Sequence, residues 1–276
     1  MELGQEKLTL LNGKVLDKSS LPVVFENTAF SWGMSVFTTG LINNGQLPFY
    51  EAHERRLREA SQWLFGWDEC PSLREILKPL APFSKKLPGH LRIRVSLFEN
   101  MDGQVQQLLQ LSPFSKEVVK GLKCESVLCP VLSSSRPNFV KLGSYAETFR
   151  LKKMMTSEPL FYDNDGFFME GAIANVVFFD EKNKAWVTPS SRFSIVEGLG
   201  LKVGLKSLPI ECKPLKFNKL EDYSAAFFVN SLRGLTPIIS IDKYELEESN
   251  EYFEQLQSQF VSNSLNTGRE LWSMEK

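Results

Sequence analysis

Residues 139–145 read FVKLGSY and place a single charged residue, Lys141, among apolar neighbours, between a proline-containing loop and a predicted helix start. An amine held away from water loses proton affinity and becomes a nucleophile near neutral pH, as the formation of a Schiff base requires. A surface lysine whose stem lies along apolar neighbours fits the same pattern. Lys141 is therefore a candidate catalytic residue, with a surface lysine as the alternative.

A second stretch, residues 165–175, reads DGFFMEGAIAN and ends a predicted strand at Glu170, directly before a glycine. A carboxylate in this place is either an exposed turn residue or a group held at a strand end for a ligand. The stretch alone leaves both interpretations open.

Further motifs flank these two stretches in a fixed order: GMSVFTT at 33–39, HERRL at 53–57, Thr188-Pro189, and NSLRGLTP at 230–237. Together with Lys141 and Glu170 they resemble the class IV aminotransferase family, the fold-type IV enzymes that use pyridoxal 5'-phosphate. The resemblance runs from about residue 8 to 242. It implies a two-domain α+β / α/β fold similar to that of D-amino acid aminotransferases.

Local patterns predict the domains and their elements. We expect an N-terminal α+β domain over 1–112, a polar linker over 113–121 and a C-terminal α/β domain over 122–276, which would bind the cofactor. The first domain is predicted to contain a hairpin turning at 12–13, a second turning at 43–45 into a strand over 47–50, helices over 51–65 and 72–80, the latter ended by Pro82, and a strand over 91–98. The second is predicted to contain helices over 144–155, 199–206 and 245–260, and strands over 124–132, 167–169, 176–180, 185–187, 225–229 and 238–241.

The resemblance assigns chemical roles to Lys141 and Glu170. Lys141 is implied to form the Schiff base with pyridoxal 5'-phosphate and to move the proton on the substrate carbon. Glu170 is implied to pair with the pyridine nitrogen and to keep it protonated, so that the ring accepts electrons.

The resemblance also implies a phosphate-binding set. Arg56, in the HERRL motif, offers a planar donor fork to the phosphate. The backbone N–H groups of Leu199 and Gly200 and the Asn230-Ser231 loop would complete it. Relatives have Gly-Ile-Thr-Arg where residues 198–201 are GLGL, so the usual threonine hydroxyl is missing at Gly200 and weaker cofactor binding is one consequence to test.

For the reaction, we first predict a lyase that eliminates pyruvate from 4-amino-4-deoxychorismate to give 4-aminobenzoate, a step of folate biosynthesis. Phe37-Thr38-Thr39 and Asn230-Ser231-Leu232 are similar to the matching runs of these lyases. The resemblance implies that Lys141 takes a proton from the substrate ring and that the Thr38 hydroxyl bonds or protonates the departing fragment. An ordinary strand threonine is the alternative for Thr38.

Two alternatives stay open. Arg94 lines up with an arginine that branched-chain aminotransferases use for a distal substrate carboxylate, and Phe37 is compatible with them as a second substrate-binding residue. Arg94 and Arg92 also share one face of the predicted strand, where two arginines could hold a carboxylate, and on pattern alone a solvated sheet face is the favoured alternative. A non-catalytic protein that keeps the fold is the other alternative, based on the altered residues 198–201. Transamination of D-amino acids is expected least, because Leu97 stands where such enzymes have a carboxylate-binding arginine.

Composition limits the classes of partner that the protein is expected to have. The 276 residues include 32 Lys plus Arg and 33 Asp plus Glu, a formal charge of −1, without the basic excess of nucleic-acid-binding proteins. No apolar run approaches the ~20 residues that cross a bilayer, and the start lacks a signal-peptide pattern. We therefore expect a cytoplasmic protein with a small-molecule substrate, no nucleic-acid partner and no membrane partner. The resemblance adds a homodimer.

Metal and nicotinamide chemistry are not expected. His53 and His90 are the only histidines, and the four cysteines form no CxxC pair, so we predict free thiols and no metal site. Residues 198–204, GLGLKVG, place the third glycine one position late for a dinucleotide-binding motif.

Overall fold

A computed structural model describes residues 7–16, 26–86, 89–115, 121–130, 136–190, 195–247 and 250–271. The chain divides into two compact units: unit 1 comprises Met1–Lys116, Phe139–Ser144 and Leu265–Lys276, and unit 2 comprises Glu117–Asn138 and Tyr145–Ser264. The predicted domains differ from these units, because two later segments, one of which carries Lys141, pair with strands of the first half. The linker predicted at 113–121 lies partly outside the described residues.

Strands and helices alternate irregularly along the chain. In chain order the strands are β1 (Leu8–Leu11), β2 (Lys14–Val15), β3 (Val36–Asn43), β4 (Gln46–Leu47), β5 (His90–Glu99), β6 (Val105–Pro113), β7 (Leu122–Leu128), β8 (Glu158–Tyr162), β9 (Phe168–Gly171), β10 (Asn175–Asp180), β11 (Ala185–Pro189), β12 (Ile210–Lys213), β13 (Tyr223–Asn230), β14 (Gly234–Ile241), β15 (Tyr244–Glu245) and β16 (Arg269–Glu270). The α-helices are α1 (Thr28–Trp32), α2 (Tyr50–Phe65), α3 (Leu73–Leu77), α4 (Ala146–Met154) and α5 (Asn250–Asn266). Short 3₁₀ helices cover Lys78–Lys86 and Leu220–Asp222, and a π-helix covers Gly200–Gly204.

Unit 1 is built on one antiparallel sheet in the order β16-β4-β3-β5-β6-β1-β2. Both predicted hairpins are confirmed, since β1 pairs with β2 and β3 pairs with β4. Their turns use Asn12-Gly13 and Asn44-Gly45, all four with positive φ, as two-residue hairpin turns require. The predicted strand over 47–50 is wrong beyond Leu47, because Phe49 is left-handed at φ 60° and α2 begins at the next residue.

The core of unit 1 lies between this sheet and α2. Leu91, Ile93, Val95 and Leu97 of β5 are buried on the face that meets this core, as predicted. Helix α2 confirms the prediction over 51–65, and Leu57 and Ala60 line its buried side. The predicted helix over 72–80 is shorter, because α3 ends at Leu77 and continues as a 3₁₀ helix that contains Pro82 rather than stopping before it.

Unit 2 is a mixed sheet in the order β12-β11-β10-β13-β14-β7-β8-β9, with β15 on β14. The pairs β11–β12, β14–β7 and β7–β8 are parallel and the rest are antiparallel. All 6 residues of β10 are buried, as expected for a strand covered on both faces. This strand runs directly on from the Glu170 motif and fixes its position in unit 2.

Several predicted elements of unit 2 need correction. The helix predicted over 199–206 is a five-residue π-helix, with a glycine at each end and therefore weak α-helix propensity. The helix predicted over 245–260 is α5, which starts at Asn250 because β15 occupies the start of the predicted range. The strand predicted over 124–132 ends at Leu128, and residues 131–135 lie outside the described residues. Strands β8 and β12 of unit 2, and strands β6 and β16 and helix α1 of unit 1, have short or mixed patterns without a clear period, and the sequence does not predict them.

The described cysteines are free thiols, and the buried Cys124 has a raised pKa because burial disfavours the thiolate. In the part of the chain that the structure describes, no cluster of His, Cys, Asp and Glu could hold a metal ion. None of the helices described here is both long and apolar enough to cross a membrane.

Candidate active site

Lys141 lies on a short extended segment that pairs with the start of β3. The N–H of Phe37 donates to the carbonyl of Lys141 over 3.1 Å, and the N–H of Gly143 donates to the carbonyl of Ser35 over 2.8 Å. The preceding residue, Val140, is 0% exposed and belongs to the core of unit 1. Because side chains alternate along extended backbone, Lys141 points the other way, where it is half-buried. Its Nζ lies 5.1 Å from the centroid of the Phe37 ring.

The same aromatic ring carries a guanidinium. The Cζ of Arg94 lies 3.7 Å from the centroid of Phe37, a cation–π contact, and its Nε donates to Ser96 Oγ over 3.3 Å. The register of β3 and β5 opposes Phe37 to Ser96, so these residues share one face of the sheet. The sheet therefore presents an amine and a guanidinium around one buried aromatic side chain.

The opposite face of β3 holds a different set. Thr38 Oγ1 lies 2.6 Å from His53 Nδ1, and both side chains are buried, at 4% and 1% exposure. Arg56 follows one turn later on the same side of α2 and is 6% exposed. The HERRL motif thus places one imidazole and one guanidinium beneath the strand that carries Phe37.

His53 is neutral at physiological pH. Burial, and then the charges of Arg56 and Lys141, lower the pKa of this imidazole from 6.5 to about 3. The charges of Arg56 and Lys141 thus both disfavour protonation of His53.

In unit 2, Glu170 lies near the end of β9, and contacts from Val196 and Asn175 hold its carboxylate in place. Its Oε1 accepts the N–H of Val196 over 3.2 Å, and its Oε2 accepts a long contact of 3.5 Å from Asn175 Nδ2. Asn175 also donates to the carbonyl of Val196 over 2.8 Å and accepts the N–H of Gly198 over 2.8 Å. Glu170 is therefore tied to the segment that leads into the π-helix.

That π-helix meets the β13–β14 turn through main-chain atoms. A Cβ on Gly200 would lie 2.7 Å from the carbonyl carbon of Asn230, closer than real side chains approach. The Asn230 Oδ1 accepts the N–H groups of Leu232 and Arg233, at 3.0 and 2.8 Å, and so shapes its own turn. The place of the threonine found in relatives is therefore filled here by backbone.

The sequence matches one family model along most of its length. Residues 35–241 match the model for amino-transferase class IV. The chain belongs to the class IV aminotransferase family. A comparison with curated protein sequences finds no match.

Solved structures show the same fold for this class IV family member. The branched-chain aminotransferase of Thermoproteus uzoniensis with norvaline is 19% identical, with 96% of this chain and 99% of that chain covered and a TM-score of 0.81. The PLP-bound form of a hypothetical aminotransferase from Mycobacterium tuberculosis is 16% identical, with 94% and 99% covered and a TM-score of 0.80. The branched-chain amino acid aminotransferase from Escherichia coli is 16% identical, with 94% of each chain covered and a TM-score of 0.77. The fold-type IV architecture expected from the sequence is confirmed.

Within this class IV aminotransferase chain, the predicted site residues fall into two groups. Unit 1 contains five of them, with Lys141, Phe37 and Arg94 on one face of β3 and Thr38 and Arg56 on the side of α2. Unit 2 contains the other five: Glu170, Leu199, Gly200, Asn230 and Ser231. Two residues that organise these groups received no predicted role, namely His53 and Asn175. His53 lies in the HERRL motif and Asn175 ends the stretch 165–175. Their hydrogen-bond partners are far away in sequence, so no local pattern indicates the roles of these two residues.

Proposed function

We propose that this chain is a pyridoxal 5'-phosphate-dependent enzyme that acts on the amino group of a small substrate bearing a carboxylate, with amino transfer as the first candidate reaction. The proposal rests on one observation: Arg94 and Lys141 approach the ring of the same side chain, Phe37. An amine suited to carbonyl chemistry thus lies on the same sheet face as a donor fork suited to a carboxylate.

The donor groups fit the cofactor. Unit 1 supplies an amine at Lys141 for an aldehyde and a buried guanidinium at Arg56 for a phosphate. Unit 2 supplies a clamped carboxylate at Glu170 for a pyridine nitrogen. Leu199, Gly200 and the Asn230-Ser231 turn would add main-chain N–H groups for the phosphate, and the close approach of Asn230 leaves no room for a side chain at Gly200.

Each residue then has a defined task. When bound, pyridoxal phosphate supplies an electron sink that acidifies the substrate C–H bond next to the amino group. Lys141 would hold the cofactor before substrate arrives and afterwards move the proton at its Nζ. Glu170 would accept a hydrogen bond from the protonated ring nitrogen. The hydrogen bonds from Asn175 and Val196 would hold the Glu170 carboxylate in the orientation that this requires.

Substrate choice follows from the Phe37 face. Arg94 would bind a carboxylate of the amino donor or of a 2-oxo acid acceptor through its N–H fork. The buried ring of Phe37 lies against this guanidinium and makes its surroundings apolar, which would suit the side chain of a branched-chain amino acid. These two features favour a branched-chain-type aminotransferase over an enzyme for small polar substrates.

The lyase is the second candidate, and Thr38 favours it. Thr38 Oγ1 lies 2.6 Å from His53 Nδ1, and the charge of Lys141 contributes to lowering the pKa of His53. A hydroxyl there could serve the elimination of pyruvate from 4-amino-4-deoxychorismate. Yet Thr38 lies on the strand face opposite Phe37 and Arg94, which places it on the side away from the proposed carboxylate site.

The first experiment tests the cofactor. The purified protein is incubated with pyridoxal phosphate, the visible absorbance is recorded, borohydride is added and the modified peptide is mapped by mass spectrometry. We expect a yellow protein with the label fixed on Lys141. A colourless protein that ignores the cofactor would instead support the non-catalytic alternative.

The second experiment separates the reactions. Amino transfer from leucine to 2-oxoglutarate and pyruvate release from 4-amino-4-deoxychorismate are measured on the same loaded protein. Transfer without pyruvate release supports the first candidate, whereas pyruvate release without transfer supports the lyase. Sedimentation of the same sample tests the proposed homodimer, and cell fractionation tests the proposed cytoplasmic location.

A further inference from the structure

The residues around the Thr38–His53 pair determine which nitrogen of His53 carries the proton. The second ring nitrogen of His53, Nε2, is buried and has no hydrogen-bond partner among the residues that the structure describes. It faces Gly40 instead, because a Cβ on Gly40 would lie 2.9 Å from Nε2. The C–H bond of Gly40 that a side chain would replace therefore points at this nitrogen.

The two neutral tautomers differ in how they meet these surroundings. With the proton on Nε2, a buried N–H would face a C–H bond and lack an acceptor, a costly and rare arrangement. With the proton on Nδ1, the N–H donates to Thr38 Oγ1 across the 2.6 Å contact, and the Nε2 lone pair receives the weak C–H contact of Gly40. The second tautomer satisfies both nitrogens.

The charged imidazolium is excluded by its neighbours. Arg56 lies on the same helix, and Lys141 lies on the extended segment that pairs with β3. Each brings a positive charge toward a ring that is already removed from water, so a further proton is disfavoured.

We propose that His53 is a positioning residue that carries its proton on Nδ1, donates it to Thr38 and thereby makes the Thr38 hydroxyl a donor toward an oxygen of the bound cofactor. Thr38 and Arg56 then both offer donors on the side of β3 that faces α2, which suits an anionic ligand. The acceptor in this statement rests on the proposed function, whereas the tautomer does not.

Nitrogen NMR tests the tautomer without any cofactor. His53 and His90 are the only histidines, so a ¹⁵N-labelled sample gives two imidazole spin systems, and His90→Gln assigns them. We expect Nδ1 of His53 to resonate as a protonated nitrogen and Nε2 as an unprotonated one, unchanged from about pH 7 to about pH 5. The reverse pattern, or a titration near the ordinary histidine pKa, would overturn the proposal.

Two matched pairs of variants test whether His53 affects cofactor binding through the Thr38 hydroxyl. We expect Thr38→Val to weaken the binding of pyridoxal phosphate about tenfold, as for one lost hydrogen bond to a charged group, and Thr38→Ser to bind like the wild type. His53→Leu should weaken it similarly, and His53→Asn should restore it, since an amide N–H can replace Nδ1–H. Folding of each variant is checked by circular dichroism, and if His53→Leu does not fold, the Thr38 pair and His53→Asn still decide.

A double variant distinguishes positioning from a structural role. Because His53 acts through Thr38, Thr38→Val combined with His53→Leu should bind the cofactor no more weakly than Thr38→Val alone. Additive losses, or unchanged binding by Thr38→Val, would overturn the donor role. If the wild type itself binds no pyridoxal phosphate, the proposed function fails, while the NMR result still decides the tautomer.

Discussion

The two units differ in the kind of group that they offer to a ligand. Unit 1 offers side chains: an amine at Lys141, guanidinium groups at Arg56 and Arg94, and a hydroxyl at Thr38. Unit 2 offers one clamped carboxylate and a region where two main-chain segments meet at Gly200. A side-chain group is lost when the new residue lacks that group, whereas backbone groups tolerate any residue that leaves the backbone in place.

This difference teaches where substitutions should act. In unit 1, replacing a named side chain removes its chemistry and leaves most of the fold intact. In unit 2, the sensitive positions are those where a larger side chain would displace the backbone. Substitutions of these unit 1 side chains, and of Glu170, should therefore lower activity first, whereas larger residues at Gly200 should lower stability first.

The largest effect is expected from Lys141→Ala. Loss of the amine removes both the covalent link and the proton carrier, so turnover should fall by at least about a hundredfold. Steady-state kinetics on the cofactor-loaded protein measure the change. Lys153→Ala, at an exposed position of α4, is the matched control and should keep wild-type turnover. Retained activity in Lys141→Ala would refute the proposed chemistry.

A smaller change in activity is expected from Arg94→Lys. Lysine keeps the charge but loses the planar fork and the contact with Phe37, so KM for 2-oxoglutarate should rise about tenfold while kcat changes less. Arg92→Lys provides the comparison, because Arg92 stands opposite Leu41 rather than beside Phe37 in the strand register. Equal effects of the two substitutions would remove Arg94 from the substrate site.

Gly200→Thr restores the threonine of relatives and tests the backbone of unit 2. Its Cβ would meet Asn230 at 2.7 Å, so we expect the free energy of unfolding to fall by about 1–3 kcal/mol. Urea denaturation measures it, and Lys202→Thr, on the exposed side of the same π-helix, should change it little. A more stable Gly200→Thr protein with tighter cofactor binding would show that the turn readily moves away.

The last prediction concerns the dependence of stability on pH. The pKa of His53 in the folded protein is about 3, below its ordinary value of 6.5. Between these two pH values the unfolded chain binds a proton at His53 and the folded chain does not. The free energy of unfolding should then fall by up to about 1.4 kcal/mol per pH unit between the two values. His53→Asn removes this dependence, so its stability relative to the wild type should improve on acidification. A constant difference between the two proteins from about pH 7 to about pH 5 would contradict the burial of a neutral His53.

Strong local signals account for what the sequence alone predicts. The hairpin turns at 12–13 and 44–45 need residues with positive φ, and an Asn-Gly pair in the sequence predicts such a turn. Helix α2 shows a clear apolar period, and the Lys141 and Glu170 motifs resemble a known family. What stays hidden is non-local: Asn175 gains its role from partners around position 197, and His53 from a strand 15 residues away. The membership of residues 139–144 in unit 1 depends on pairing with β3, which no local pattern reveals.

The interleaved course of the chain has a consequence for its synthesis. Unit 1 needs β16 on β4, and its core includes Leu271, close to the final residue. A ribosome therefore releases the whole of unit 2 before the first unit can close its last strand pair and bury its last core residue. The unit that begins first is completed last, so during translation the edge of β4 stays unpaired until residues 269–270 have been synthesised.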